Sequence, residues 1–276
     1  KIIKKKDKIP IICLTAYSKA IAKIADKYCD IILVGDSLGM VLYGMKTTRE
    51  IKIETMILHG KAVKDSAKKS LVVFDMPYKT YTNKFIAYKN AQKIIKLTKC
   101  DAVKLEGGIP YLSQIRAIID AGIPVMAHLG LTPQSLSQMG GYRVQGKNLS
   151  SFKKLLEDTL AVESAGAFSV LIEAIPEDVS GELYKHIKVP LYGIGAGKHV
   201  DGQLVISHDM LGLFVGEVDP KFVKKYLNLS ESITNAFKEY KNDVESLSFP
   251  AEEHLYPIKE EDLKEIQKYS SNYKSK

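Results

Sequence analysis

Five short apolar runs in this chain each stop at one side chain able to move a proton or hold a cation. Ile31 to Val34 gives way to Gly35, Asp36 and Ser37, and Leu71 to Phe74 gives way to Asp75. Ala102 to Leu105, with Lys104 inside it, ends at Glu106; Val125 to Ala127 ends at His128; Val170 to Ile172 ends at Glu173. Three successive endings are carboxylates. Brought to one place, Asp36, Asp75 and Glu106 repel one another and raise at least one pKa unless a cation neutralises them. Donors that are all oxygen, carried on rigid strands, suit Mg2+, which takes one or two protein carboxylates and fills its shell with water and substrate oxygens. One such Asp alone reads more simply as a helix cap or the partner of a surface Lys; three in a row point to a metal.

Lys104 precedes Glu106 by two residues, so both side chains leave the strand on the same face. An unpaired buried ammonium is very costly, so Lys104 is paired or functional. It either neutralises a substrate carboxylate or serves as a Schiff-base nucleophile, and the neighbouring acids favour the charged, first role. Glu173 is backed by Leu171 and Ile172. There its pKa should be raised, suiting it to take a proton from a carbon beside a carbonyl; the plainer reading is a helix cap before Pro176. His128 is either a satisfied polar group or a contact to a substrate oxygen or to a metal ligand.

The elements that must position these residues alternate. Strands are expected at 10–17, 31–35, 71–74, 102–106, 124–129, 168–173 and 190–194, with a weak eighth at 203–207. Helices are expected between them, the first from Ser18, a plausible N-cap, to Tyr28, and the last inside 220–246. Residues 41–50 read as a loop, and Gly130 to Asn148 as the longest loop, a length more often functional than idle. The chemistry-bearing ends are 39, 31, 22 and 45 residues apart, scattered around the roughly 30 residues of one barrel unit. The fold expected is therefore α/β, a single-domain (β/α)8 TIM barrel over residues 1–258, with a mixed-charge tail at 259–276. A doubly wound sheet would gather its chemistry at one switch point instead of five strand tips. Gly193-Ile194-Gly195-Ala196-Gly197 resembles a phosphate loop but serves turns equally well. Gly35 and Gly39 are expected to let a ligand approach the backbone.

With 276 residues, 45% hydrophobic and 26% charged, the composition is that of an ordinary globular protein without a membrane-spanning run or a secretory signal. Half of the net charge of +8 lies in residues 1–8, and no aromatic-interleaved basic stripe follows. That favours a solvated Lys-rich surface over a nucleic-acid-binding one. Cys13, Cys29 and Cys100 have no CxxC spacing and sit in apolar contexts, which fits core thiols in the cytoplasm.

The chain closely resembles the ketopantoate hydroxymethyltransferase family. The resemblance rests on Val34-Gly35-Asp36-Ser37-Leu38-Gly39-Met40, Asp75-Met76-Pro77, Lys104-Leu105-Glu106-Gly107-Gly108 and His128-Leu129-Gly130-Leu131-Thr132-Pro133-Gln134. It continues through Gly140-Gly141-Tyr142-Arg143-Val144-Gln145-Gly146, the 193–197 glycine run, Asp201-Gly202-Gln203 and Glu252-Glu253-His254. The resemblance implies transfer of a hydroxymethyl group from 5,10-methylenetetrahydrofolate to 3-methyl-2-oxobutanoate, giving ketopantoate for pantothenate synthesis through a Mg2+-stabilised enolate. It implies Mg2+ near Asp36, Asp75 and Glu106, the keto acid against Asp36, Ser37, Asp75, Lys104 and His128, and Glu173 as general base. It further implies a large symmetric homo-oligomer whose partners are small molecules, neither nucleic acid nor membrane. The nearest rival is a Mg2+-dependent lyase or mutase of pyruvate-like acids, an enzyme type that carries a reactive loop Cys; none of the three Cys here falls in a strand-tip loop.

Overall fold

The computed structural model describes residues 2–136, 140–213 and 220–273. Eight parallel strands close on themselves in sequence order. They are β1 (Ile11–Thr15), β2 (Ile31–Val34), β3 (Leu71–Asp75), β4 (Ala102–Glu106), β5 (Val125–Gly130), β6 (Ser169–Glu173), β7 (Leu191–Ile194) and β8 (Gly202–Val205). The weak eighth strand is real: it pairs with β7 on one side and closes the barrel on β1 through Ile11 opposite Gly202. Helices α1 (Lys19–Ala25), α2 (Leu38–Tyr43), α3 (Ile53–Ser66), α4 (Lys84–Thr98), α5 (Leu112–Asp120), α6 (Leu149–Ser164), α7 (Glu177–Tyr184) and α8 (Ser207–Met210) connect and surround them. Ser18 caps α1 by accepting the Ile21 N–H.

The two-residue period of each strand divides the core in two. Val103 and Leu105 of β4, with Ile32 and Val34 of β2 and Val170 and Ile172 of β6, face the helices. Ile31, Leu33, Val73, Ala102, Met126, Leu171 and Tyr192 fill the barrel itself. The inward parity that begins with Val73, Ala102, Met126 and Leu171 runs on to Asp75, Lys104 and Glu106, His128 and Glu173 at the strands' C-terminal ends. Asp36 has the parity of the outward residues. It joins the others because β2 stops at Val34 and the chain turns directly into α2. The 41–50 stretch, expected as loop, holds the end of α2 and a 3-10 turn at Thr48–Glu50. Gly44 ends α2 at φ +64°, and Thr47 and Glu50 form a reciprocal cap on the turn.

Acids tie the barrel's N-terminal end together. Asp26 accepts the backbone N–H groups of Lys68, Lys69 and Ser70. Burial pushes its pKa up, but these donors outweigh burial and bring it down to about 2. Asp30 holds Lys5, and Asp101 holds Lys64 Nζ at 2.6 Å and the Val72 N–H at 2.8 Å. Asp201 accepts from Lys6, Tyr184 and the N–H groups of Asp7 and Leu191, which offset its burial and lower its pKa.

The chain divides into two compact units, Lys1–Leu227, which holds the barrel, and Asn228–Lys276. The second contains α9 (Leu229–Glu245), a 3-10 turn at Glu252–His254 and α10 (Glu260–Ser270). The stretch read as a tail thus contains a helix. Three acids in its first turn and Lys268 in its last complement the helix dipole, and Lys264 pairs with Glu260 one turn away. Among the described residues no helix is long and apolar enough to cross a membrane.

Candidate active site

Asp36, Asp75, Lys104, Glu106 and His128 come together at the C-terminal mouth, each at most 4% exposed. Lys104 Nζ lies 2.7 Å from both oxygens of Asp75, and the Asp36 N–H donates to Asp75 Oδ2 at 3.3 Å. Burial pulls the Lys104 pKa down, but Asp75, Glu106 and Asp36 together raise it above the ordinary lysine value. An ammonium paired with both oxygens of Asp75 is a poor nucleophile, which favours the charged role over the Schiff-base one. Burial, and then the charge of Asp75, pushes the Asp36 pKa well up; burial raises Glu106 as well. Three buried carboxylates thus share one ammonium.

Gln134, from the 3-10 turn Pro133–Ser135 after β5, reaches into this cluster. Its Nε2 donates to Asp36 Oδ2 at 2.8 Å, and its backbone N–H donates to Glu106 Oε2 at 2.9 Å. Tyr81 donates to Gln134 Oε1. On the other side of Glu106, His128 Nδ1 stands 3.5 Å from Glu106 Oε1 and Nε2 stands 3.2 Å from Glu173 Oε2. Both ring nitrogens are buried and neither is aligned on its oxygen for a hydrogen bond. Burial, then the Lys104 charge, lowers the His128 pKa, so the ring is neutral. Burial raises the Glu173 pKa against the pull of His128.

Ser37 follows Asp36 directly, and its Oγ lies 2.7 Å from the Tyr17 hydroxyl. The Tyr17 ring in turn lies 5.4 Å from that of His208. At Gly35 and Gly39 the space a side chain would need is already taken. A Cβ on Gly35 would stand 2.9 Å from Ser37 Oγ, and one on Gly39 3.0 Å from Met45 Sδ, so the protein's own side chains use that room. Gly195 and Gly197 turn at φ +63° and +72°, the backbone demand that glycine meets. Tyr17, Tyr81 and Gln134 were not among the residues singled out from the sequence. Gln134 stands in the 128–134 motif and the long loop after the fifth strand, and Tyr17 is the last residue of the expected first strand; nothing in the sequence marks Tyr81.

Among the described residues, no group of three His, Cys, Asp or Glu is gathered as a ready metal cage. Mg2+ needs only one or two protein carboxylates, and its preferred donors are the oxygens that Asp36, Asp75 and Glu106 present. When ionised, these acids exceed the Lys104 ammonium by two negative charges, the charge of one divalent cation. The residues therefore fit such an ion. The thiols stand apart from this chemistry: burial raises the pKa of all three, to about 11 for Cys29 and Cys100. None is poised as a thiolate.

Residues 1–252 match the family profile described as ketopantoate hydroxymethyltransferase. The 3-methyl-2-oxobutanoate hydroxymethyltransferase of Syntrophomonas wolfei is 47% identical over 262 residues, 94% of this chain and 95% of that protein. That of Clostridium acetobutylicum is 46% identical over 267 residues, covering 96% and 95%. That of Cereibacter sphaeroides is 45% identical over 257 residues, covering 93% and 92%. Among solved structures, phosphonopyruvate hydrolase superposes with a TM-score of 0.61 at 13% identity, covering 98% of this chain and 94% of that one. Phosphoenolpyruvate phosphomutase from Streptomyces platensis gives 0.60 at 15%, covering 97% and 95%. At such identities the likeness is one of fold.

Proposed function

The chain belongs to the ketopantoate hydroxymethyltransferase family of transferases, and from that premise we propose that it moves a one-carbon unit from 5,10-methylenetetrahydrofolate to 3-methyl-2-oxobutanoate at this barrel mouth. The observation that carries the chemistry is the placement of a half-buried acid, Glu173, 3.2 Å from the neutral His128 beside a cluster of excess negative charge. A carboxylate whose proton affinity is raised by burial is a stronger base than one in water, and the product of its ionised fraction and basicity peaks nearer neutral pH. Glu173 removes the proton from the carbon next to the keto group. One of the two C–N bonds to the folate methylene carbon opens to an iminium, water adds to that carbon, and the second C–N bond breaks to release it at the oxidation level of formaldehyde. The electron pair left on the substrate carbon forms the new C–C bond to this carbon, whose oxygen, from water, becomes the hydroxyl, and the two folate nitrogens end with one proton from the substrate carbon and one from water.

Lys104 supplies the positive charge that orients the substrate carboxylate, while Ser37, held by Tyr17, offers a hydroxyl to the same substrate. His128 presents a neutral N–H between Glu106 and Glu173. Asp36, Asp75 and Glu106 would hold Mg2+, which as a Lewis acid makes a carbon beside a bound keto group more acidic.

The test is solvent exchange. With 3-methyl-2-oxobutanoate in D2O, NMR should show deuterium entering at the carbon beside the keto group. Glu173→Gln should slow that exchange by about 10²- to 10⁴-fold while keto-acid binding persists. In the parent protein the exchange rate should climb with pH through a midpoint above the ordinary carboxylate range, because the base acts when ionised and its pKa is raised. Unchanged exchange in the variant removes Glu173 from the role of base. A cysteine-dependent lyase finds no support in thiols held protonated.

A further inference from the structure

Gln134 is 2% exposed and Tyr81 5%, and neither carries charge. Their hydrogen bonds are directional. The Met76 carbonyl only accepts, so the NH2 end of the Gln134 amide must face it: Nε2 lies 3.1 Å from the Met76 oxygen and 2.8 Å from Asp36 Oδ2. Both amide hydrogens are then committed. The amide oxygen takes the Tyr81 hydroxyl hydrogen at 2.5 Å, and that hydroxyl accepts the Glu106 N–H at 3.4 Å. The Gln134 backbone N–H completes the set on Glu106 Oε2. One residue from the loop after β5 therefore grips the ends of β2, β3 and β4 at once.

We propose that Gln134, braced by Tyr81, is a positioning residue that fixes Asp36 and Glu106 as a cation-binding pair, committing one oxygen of each to a neutral donor. This rests on the reading that Asp36, Asp75 and Glu106 hold a divalent cation. The amide suits the task because it supplies donors to two ionised acids without adding charge. A carboxylate in its place would add a fourth negative charge, and an ammonium would compete for the cation's position. Tyr81 sets which end of the amide faces Asp36. Without that brace the amide is free to turn over and present its oxygen to a carboxylate.

The experiment titrates Mg2+ into cation-stripped protein by calorimetry, comparing the parent with Gln134→Met, which keeps length and volume but removes the amide, and with Tyr81→Phe. Thermal midpoints in chelator are recorded for each. The expected result is a Mg2+ Kd raised about 10- to 100-fold in Q134M, the range seen when groups supporting metal ligands are removed. Y81F should raise it about threefold, the worth of one neutral hydrogen bond. Both variants should show a higher KM for Mg2+, with most of kcat recovered at saturating cation. A purely structural role would lower the thermal midpoint and leave Kd unmoved. Parent-like Kd in folded Q134M overturns the proposal, as does parent-like Kd in Y81F should Q134M fail to fold. A parent protein that takes up no Mg2+ overturns the cation reading and this inference with it, whereas Kd values raised in the variants sustain both and lowered ones overturn the inference alone.

Discussion

At the N-terminal end of the barrel, Asp26, Asp30, Asp101 and Asp201 each meet a Lys or several backbone N–H groups, whereas at the mouth Asp36, Asp75 and Glu106 are packed around the single ammonium of Lys104. The chemistry of the side chains is the same and the outcome is opposite. Donors fixed by the backbone bring Asp26 and Asp201 below the ordinary carboxylate range; burial without enough donors lifts Asp36, Glu106 and Glu173 above it. A saturated acid ties elements together. An acid left short of donors by a fold that is stable for other reasons is ready for a proton, a cation or a substrate.

The sharpest way to break this contrast is to remove the cation from each end. Lys104→Met should cost about 3–5 kcal/mol in urea unfolding without added Mg2+, because it strands buried carboxylates. The loss should shrink as pH falls, since acids with raised folded-state pKa values regain stability on taking up protons. If K104M is as stable as the parent, the mouth is not the strained end. Asp26→Asn should cost about 2 kcal/mol at neutral pH, the linkage value of a pKa lowered to about 2. In the parent that contribution is fully present above the ordinary Asp pKa of about 4, and it fades as the pH drops through about 2. The variant's stability should lack this dependence. Lys64→Met should cost at most about 1 kcal/mol, since Asp101 keeps the Val72 N–H and the pair is partly in solvent. A K64M loss equal to that of K104M would erase the difference between the two ends.

Much of this was legible in the sequence. The two-residue spacing of Lys104 and Glu106 placed both inside the barrel, and the apolar runs before Asp75, His128 and Glu173 set the register that aims them at the mouth. Asp36 was found although its parity is wrong, because the glycine and hydroxyl beside it marked the end of a strand. α2 was missed because two glycines within six residues look like punctuation. Gly39, however, lies inside the helix, packed against Met45 and Ile51, and only Gly44 ends it. The grip of Gln134 and Tyr81 could not be read, since it depends on two loops, 28 and 25 residues from Glu106, meeting over a strand end. No local period encodes such a meeting.

The pairing of β1 sets the order in which the barrel can be completed. One neighbour, β2, follows within twenty residues, but the other is β8, whose Val205 sits opposite Leu14. During synthesis the growing sheet therefore carries two open edges until almost all of the barrel has left the ribosome, and such edges are prone to pair with other chains. Asp201, which accepts from Lys6, from the N–H of Asp7 and from the N–H of Leu191, lies immediately before β8. Asp201 thus ties the segment before β1 to the start of β7 from the position just ahead of the strand that completes the ring, so the ring cannot be sealed before nearly the whole barrel sequence is present.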